Sequence, residues 1–144
     1  MSCLVTQVLL PVTVLLRRAD AAAAIWTALV ARAAGHGHRT ISALVEAPAS
    51  TVRGWLRRIS SRLESVRVHF TLVARRAAVD QAAPDAAGSS WKDMVAAVGA
   101  AWVALTSRFG PAGFVGTVTA GQVAVASSGG RLLSPGWPSP AGRC

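Results

Sequence analysis

The chain has 144 residues, enough for one domain or one domain with a tail, and its 15 basic and 6 acidic side chains leave a net charge of +9. Two cysteines at opposite ends exclude a disulfide framework and a paired-cysteine metal motif, and they fit a reducing cytoplasm. The charge is uneven. Residues 1–76 hold 11 arginines against Asp20, Glu46 and Glu64, a net +8, while residues 77–144 hold Lys92, Arg108, Arg131 and Arg143 against Asp80, Asp85 and Asp93, a net +1. A basic half of this kind is an electrostatic footprint for nucleic acid, although an anionic membrane or an acidic partner would attract it equally. Arginine outnumbers lysine fourteen to one. With so much Ala, Gly and Val, that is the composition of a GC-rich genome, and it inflates both charge and hydropathy.

Residues 1–16, MSCLVTQVLLPVTVLL, are apolar and then meet Arg17 and Arg18. A signal peptide carries its charge before the apolar run, and here it follows. Pro11 also interrupts a run already too short to span a bilayer as a helix. Val and Thr alternating with Leu predict a short extended segment over residues 1–17, packed on the domain. Asp20 then reads as the N-cap of a helix over residues 21–34, with Ile25, Trp26, Leu29 and Val30 as its apolar stripe. Gly35, which tolerates positive φ, ends it.

Gly35-His36-Gly37-His38 is a connecting loop. Two histidines two residues apart invite a metal reading, but nothing nearby completes a ligand set; a polar loop near phosphate is preferred, with His38 capping the next helix. Residues 39–46 form a short helix with Ile41 and Val45 on one face and Ser42 beside them. Ala47-Pro48-Ala49 breaks it, because proline lacks a donor and disfavours a helical residue before it. Ser50 and Thr51 open a second helix as hydroxyl caps. Val52, Trp55, Leu56 and Ile59 recur at i, i+3, i+4 and i+7, one buried helical face. The opposite face shows Ser50, Thr51, Arg53, Gly54, Arg57 and Arg58.

Helix, three-residue break and helix with a cationic outer face is the arrangement of a helix-turn-helix, whose second helix enters the major groove. Arginine pairs with guanine by two hydrogen bonds, and hydroxyls reach bases or phosphates. Ser50, Thr51, Arg53, Gly54 and Arg57 are therefore the expected base-facing residues, Gly54 allowing close approach. Arg39, Arg58 and Arg62 are the expected phosphate contacts. The bland alternative is a helical hairpin whose arginines are merely solvated.

Beyond Arg58 the apolar spacing continues through Ile59, Leu63, Val66, Phe70 and Val73, with a kink expected at Ser60-Ser61; Arg75 and Arg76 read as solvated. The helix-turn-helix domain is thus placed at residues 18–80. Residues 81–90, with Pro84, Gly88 and paired serines, are a linker. Ser90 and Asp93 resemble a capping box for a helix over residues 91–109. Its stripe is Trp91, Met94, Val95, Val98, Trp102, Leu105 and Phe109, a core face or a homodimer face. Gly110-Pro111 ends it. Residues 112–127 suit a strand or a helix, with Gly113, Gly116 and Gly121 weakening the latter. Residues 128–144, rich in Ser, Gly and Pro, read as a disordered tail. The predicted class is all-α: a three-helix helix-turn-helix domain, a C-terminal helical region over 91–127, an extended N-terminal segment and a disordered tail.

The stretch AAGHGHRTISALVEAPASTVRGWLRR resembles a group of actinobacterial helix-turn-helix proteins of unassigned function, similar to transposase-type, homeodomain-like DNA-binding domains. The resemblance runs from Thr6 to about Leu133, including LLPVTVLLRRAD, VHFT and GGRLL, and is most specific over residues 35–58. It implies double-stranded DNA as partner, a transposable-element origin and a nucleoid-associated, cytoplasmic location. In that group a cysteine-paired zinc ribbon precedes the helices, and its last Cys-x-x-Thr would fall on Cys3 and Thr6. The other ligands are absent, so no zinc or other cofactor is expected, and the chain reads as an N-terminally shortened product. Two further departures stand out. Glu46 occupies the position where such units carry glycine, and Leu44 stands where a polar residue is usual. Together they raise the reading of a decayed mobile-element remnant.

An enzymatic reading needs clustered carboxylates for two metal ions. No pair among the six acids sits in an apolar, strand-like setting, so catalysis is expected, if anywhere, in a separate catalytic subunit. A membrane-surface or helix-partner protein is the remaining alternative, supported by the hydropathy and the stripe from Met94 to Phe109.

Overall fold

The computed structural model of the chain describes residues 12–110, 118–134 and 136–138. Among the described residues there are six helices and no strand: α1 (Val12–Ala33), α2 (His38–Val45), α3 (Ala49–Ser60), α4 (Leu63–Ala77), α5 (Ser90–Phe109) and α6 (Ala120–Ser127). The all-α expectation holds. No helix among them is long and apolar enough to cross a membrane.

The first helix starts earlier than its sequence signals suggest. It runs from Val12, so residues 12–17 are helical rather than extended, and Asp20 lies within the helix instead of capping it. Nothing between Val12 and Ala33 breaks a helix, and one good capping residue does not start one where the preceding turn can already form. Residues 1–11 lie outside the described residues. At the other end Gly35 has φ +99°, and its N–H and that of His36 close back on the carbonyls of Arg32 and Ala31. This is the glycine-terminated end expected from sequence. The buried face is Ala22, Ala28, Leu29 and Ala31, with Ile25 and Trp26 beside it; Val30 is exposed.

α1 packs across both α2 and α3, which also pack on each other. The three make the expected three-helix unit. Ile41, Val52, Leu56 and Ile59 are buried at its centre, each contributing roughly 1.5–3 kcal/mol of burial. α3 then stops where the paired serines predicted a kink. The Ser60 and Ser61 hydroxyls donate to the carbonyls of Arg57 and Arg58, satisfying the end of the helix, and α4 sets off from Leu63.

α4 and α5 form the most extensive helix pair, and they run parallel. At one end Asp93 faces Arg67, and both line a depression with Glu64. At the other end the Arg108 guanidinium donates to the Arg76 carbonyl at 2.7 Å. Residues 78–89 therefore carry the chain back along the pair. Twelve residues reach about 40 Å when extended, ample for the roughly 22 Å length of α4. What reads as a linker between regions is a return strap within one body. Met94, Val98, Ala101 and Ala104 of α5 belong to the same buried cluster as Val52, Val66 and Phe70. The α5 stripe, read as a core face or a homodimer face, thus contributes largely to the core of the chain. The cap of α5 is also shifted by one residue: the Ser89 hydroxyl accepts from the Lys92 N–H, while Asp93 accepts from the Ala87 N–H at 2.6 Å.

α6 resolves the stretch that suited strand or helix equally. Thr119 and Gln122 make a reciprocal capping box that starts it. Gly121, read as a helix weakener, is there for clearance: a Cβ on it would lie 2.9 Å from Cβ of Trp26 on α1. Trp102 holds the approach to α6 by donating its indole N–H to the Val118 carbonyl at 2.7 Å. Gly113 and Gly116 lie outside the described residues.

The tail begins later than residue 128. Leu132 and Trp137 are buried, and the Trp137 ring meets His69 edge-on with centroids 4.8 Å apart. An apolar Leu and Trp within a Ser-Gly-Pro composition suffice to pin the segment against α4. Residues 139–144 lie outside the described residues.

Candidate nucleic-acid interface

The corner between α2 and α3 is built on residue 46. Glu46 is left-handed, with φ 52° and ψ 38°, the only non-glycine residue with positive φ among those described. Glycine takes this conformation without penalty; an L-residue does not. Ser42 ties the corner from inside. Its carbonyl accepts from the N–H groups of both Glu46 and Ala47, and its hydroxyl donates to the Ala47 carbonyl at 2.6 Å. Pro48 then occupies the N-cap of α3 with φ −53°. No side chain caps α3, so Ser50 and Thr51 are not caps; they stand exposed in the first turn. Nor does His38 cap α2. Gly37 is the N-cap there, again without a side-chain hydrogen bond.

α3 divides as its spacing predicts. Val52, Leu56 and Ile59 are buried and Trp55 packs beside them. Ser50, Thr51, Arg53, Arg57 and Arg58 are exposed together on the outer side. The guanidinium groups of Arg53, Arg57 and Arg58 have no hydrogen bond or ion pair with any described residue, and the same holds for Arg39 on α2; the one salt bridge among the described residues joins Arg67 to Glu64 on α4. Gly54 lies on the same side. A Cβ there would meet no described residue within 4 Å, so packing among the described residues does not require glycine.

One expected phosphate contact is engaged elsewhere. Arg62, at the α3–α4 corner, donates through Nη1 to the carbonyls of Ser134 and Trp137, the latter at 2.5 Å, and through Nε to the Arg58 carbonyl at 2.9 Å. Partial burial pulls its pKa below the usual arginine value. Its charge is directed at the outgoing C-terminal segment because that segment's carbonyls reach the corner, which the sequence spacing did not reveal.

Beside α3 lies an open groove of about 320 Å³ between the end of α1, the start of α2 and the start of α5. Arg32, His38, Arg53, Arg57 and Trp91 line it, with no acidic side chain among its lining residues. The Arg32 guanidinium lies 5.9 Å from the centroid of the Trp91 ring and donates to the His36 carbonyl at 3.3 Å. Sequence reading did not bring Arg32 or Trp91 to this place. They are 59 residues apart, and no local pattern joins them.

Among the described residues no three His, Cys, Asp or Glu side chains come together as a ligand set. His69, on α4, is partly buried, with its Nε2 atom inaccessible. Burial lowers its pKa, helped by the nearby Arg76 charge and opposed by a hydrogen bond with the backbone of Ser127. Its Nε2 has no hydrogen-bond partner among the described residues. It packs under Trp137 and Phe70, in the body of the fold.

No protein-family model, curated protein or solved structure matches the chain.

Proposed function

We propose that the chain is a sequence-specific DNA-binding protein that reads the major groove with α3, and that it derives from or works with a transposable element. The observation that carries the first part is the outer face of α3. Ser50, Thr51, Arg53 and Arg57 stand exposed, with no partner for either arginine among the described residues, over a first turn that no side chain caps. Unpaired arginines on a rigid helix are suited to bidentate contacts with guanine. Gly54 adds to this. Glycine inside a helix costs up to about 1 kcal/mol against alanine, and no described residue occupies the space it leaves. A surface pressed close to the helix from outside would account for it.

Arg39 and Arg58, exposed on either side of the corner, are the phosphate contacts in this reading, and Arg62 is not one. The transposable-element link rests on the resemblance of residues 35–58 alone, and with it goes a nucleoid-associated, cytoplasmic location. The chain's part is binding. Glu64 is held by Arg67, and Asp93 accepts from the Ala87 amide. Any strand-transfer chemistry would fall to a separate catalytic subunit. Two copies on paired half-sites would have to associate through a surface other than the buried part of α5.

Selection of bound sequences from random duplex DNA at two salt concentrations tests the proposal. A recovered motif is expected, with affinity falling steeply as salt rises. Arg53→Ala should lower affinity for that motif by roughly 1–3 kcal/mol and leave binding to random DNA much less changed. Equal loss on both would make Arg53 a backbone contact, and the absence of any enriched motif would overturn sequence-specific reading.

A further inference from the structure

We infer that the groove between α1, α2, α3 and α5 seats a backbone phosphate of the bound duplex, with Arg32 as its cation and Trp91 as the residue that positions Arg32. The inference rests on the DNA-binding reading and extends the contact surface beyond the α2–α3 pair. The groove draws on four separate helices, and every charged or protonatable side chain that lines it is Arg32, His38, Arg53 or Arg57. Like charges brought together without a counter-charge repel one another. No acidic side chain lines the groove to offset these cations, so an anion from outside is the complement it lacks. Its volume of about 320 Å³ is roughly ten times the ~30 Å³ share of one water, with room for a sugar–phosphate unit.

Arg32 is preset for the task. Its guanidinium rests over the Trp91 ring, and among the described residues only one of its five donors is used, by the His36 carbonyl. A cation–π contact with an aromatic face favours one placement of a guanidinium without consuming its N–H groups. Arg53 and Arg57 belong both to this groove and to the outer face of α3. A strand whose bases meet α3 would therefore pass its backbone across the groove. That continuity is why duplex DNA is the chosen source of the phosphate. It also gives the C-terminal half a place in binding, since Trp91 comes from α5.

The test is duplex binding by fluorescence anisotropy over a salt series, with the full chain and the motif selected above. Arg32→Gln changes an exposed side chain and should reduce the slope of log affinity against log salt by about one, the signature of one lost phosphate contact, without changing the preferred sequence. Trp91→Leu should match Arg32→Gln, Trp91→Phe should restore most of the slope, and the double variant Arg32→Gln/Trp91→Leu should lose no more than Arg32→Gln alone. If Arg32→Gln leaves slope and affinity unchanged while Arg53→Ala still weakens the motif, the groove inference fails and the DNA-binding reading stands. If the wild-type chain binds no duplex, both fail. Inorganic phosphate serves as the remaining arm, followed by the NMR shift of the Arg32 Nε–H. A shift with phosphate that duplex DNA neither reproduces nor displaces would make this a seat for a free phosphate, and would overturn the duplex as its source.

Discussion

Replacing Glu46 with glycine should make the protein more stable, and the size of the gain follows from the corner itself. An L-residue held in the left-handed region costs roughly 1–2 kcal/mol. Glu46, with φ 52°, cannot leave that region without breaking the two N–H bonds that converge on the Ser42 carbonyl. Glycine removes the penalty but loses more freedom on folding, roughly 0.4–1 kcal/mol. The net gain for Glu46→Gly is about 0.5–1 kcal/mol, or about 2–4 °C in melting midpoint at this chain length. Glu46→Ala is the control, because it removes the same charge and keeps the strained backbone. It should leave the midpoint nearly unchanged. Both variants should bind duplex DNA more tightly than the wild type, since each deletes an acid beside α3, and the gain should shrink with salt. Thermal melts of the three proteins in one buffer decide the matter. If alanine stabilises as much as glycine, charge rather than backbone strain is the cause, and the account of the corner is wrong.

Three other outcomes are expected. Two of the helical glycines should respond oppositely: Gly54→Ala should raise stability by up to about 1 kcal/mol and weaken motif binding, whereas Gly121→Ala should lower stability by roughly 1–3 kcal/mol by driving a methyl into Trp26, as read from denaturant titration and anisotropy. Arg62→Ala should cost about 2 kcal/mol of stability by freeing the C-terminal segment, and it should leave the salt slope of DNA binding unchanged, in contrast to Arg32→Gln. The lowered pKa of His69 means that the unfolded chain binds a proton which the folded chain resists. That stability is present above the unfolded value of about 6.5 and is lost as pH falls below it, towards the folded pKa. Melts of the wild type and His69→Phe between neutral and mildly acid pH should show the wild type losing more stability than the variant.

The sequence by itself determined the local elements wherever one face of a helix alternates cleanly between apolar and charged. Val52, Trp55, Leu56 and Ile59 against Ser50, Thr51, Arg53 and Arg57 need no tertiary information, because the 3.6-residue period sorts them. Pro48 and Gly35 likewise stop helices through their own backbone chemistry, and Ser60-Ser61 ends α3 through hydroxyls bonding to carbonyls one turn back. Helix starts were less legible. Asp20, His38 and Ser50 are good capping residues by type, yet a cap only satisfies a helix end that packing has placed, and packing placed these ends elsewhere.

Tertiary structure decided everything that joins distant residues. A strap of 12 residues between α4 and α5 is compatible with a separate domain or with a parallel return, and only the shared core of Val66, Phe70, Met94 and Val98 selects the second. Arg62 looks no different in sequence from Arg58, but it stands where the carbonyls of Ser134 and Trp137 arrive. Gly54 and Gly121 are both helical glycines; one faces open space and the other faces Trp26. Arg32 and Trp91 meet because α5 folds back onto α1. Local spacing carries the energetics of a few residues along one helix, whereas these contacts depend on how whole helices cross, and that is settled by the volume and shape of the side chains they bury together.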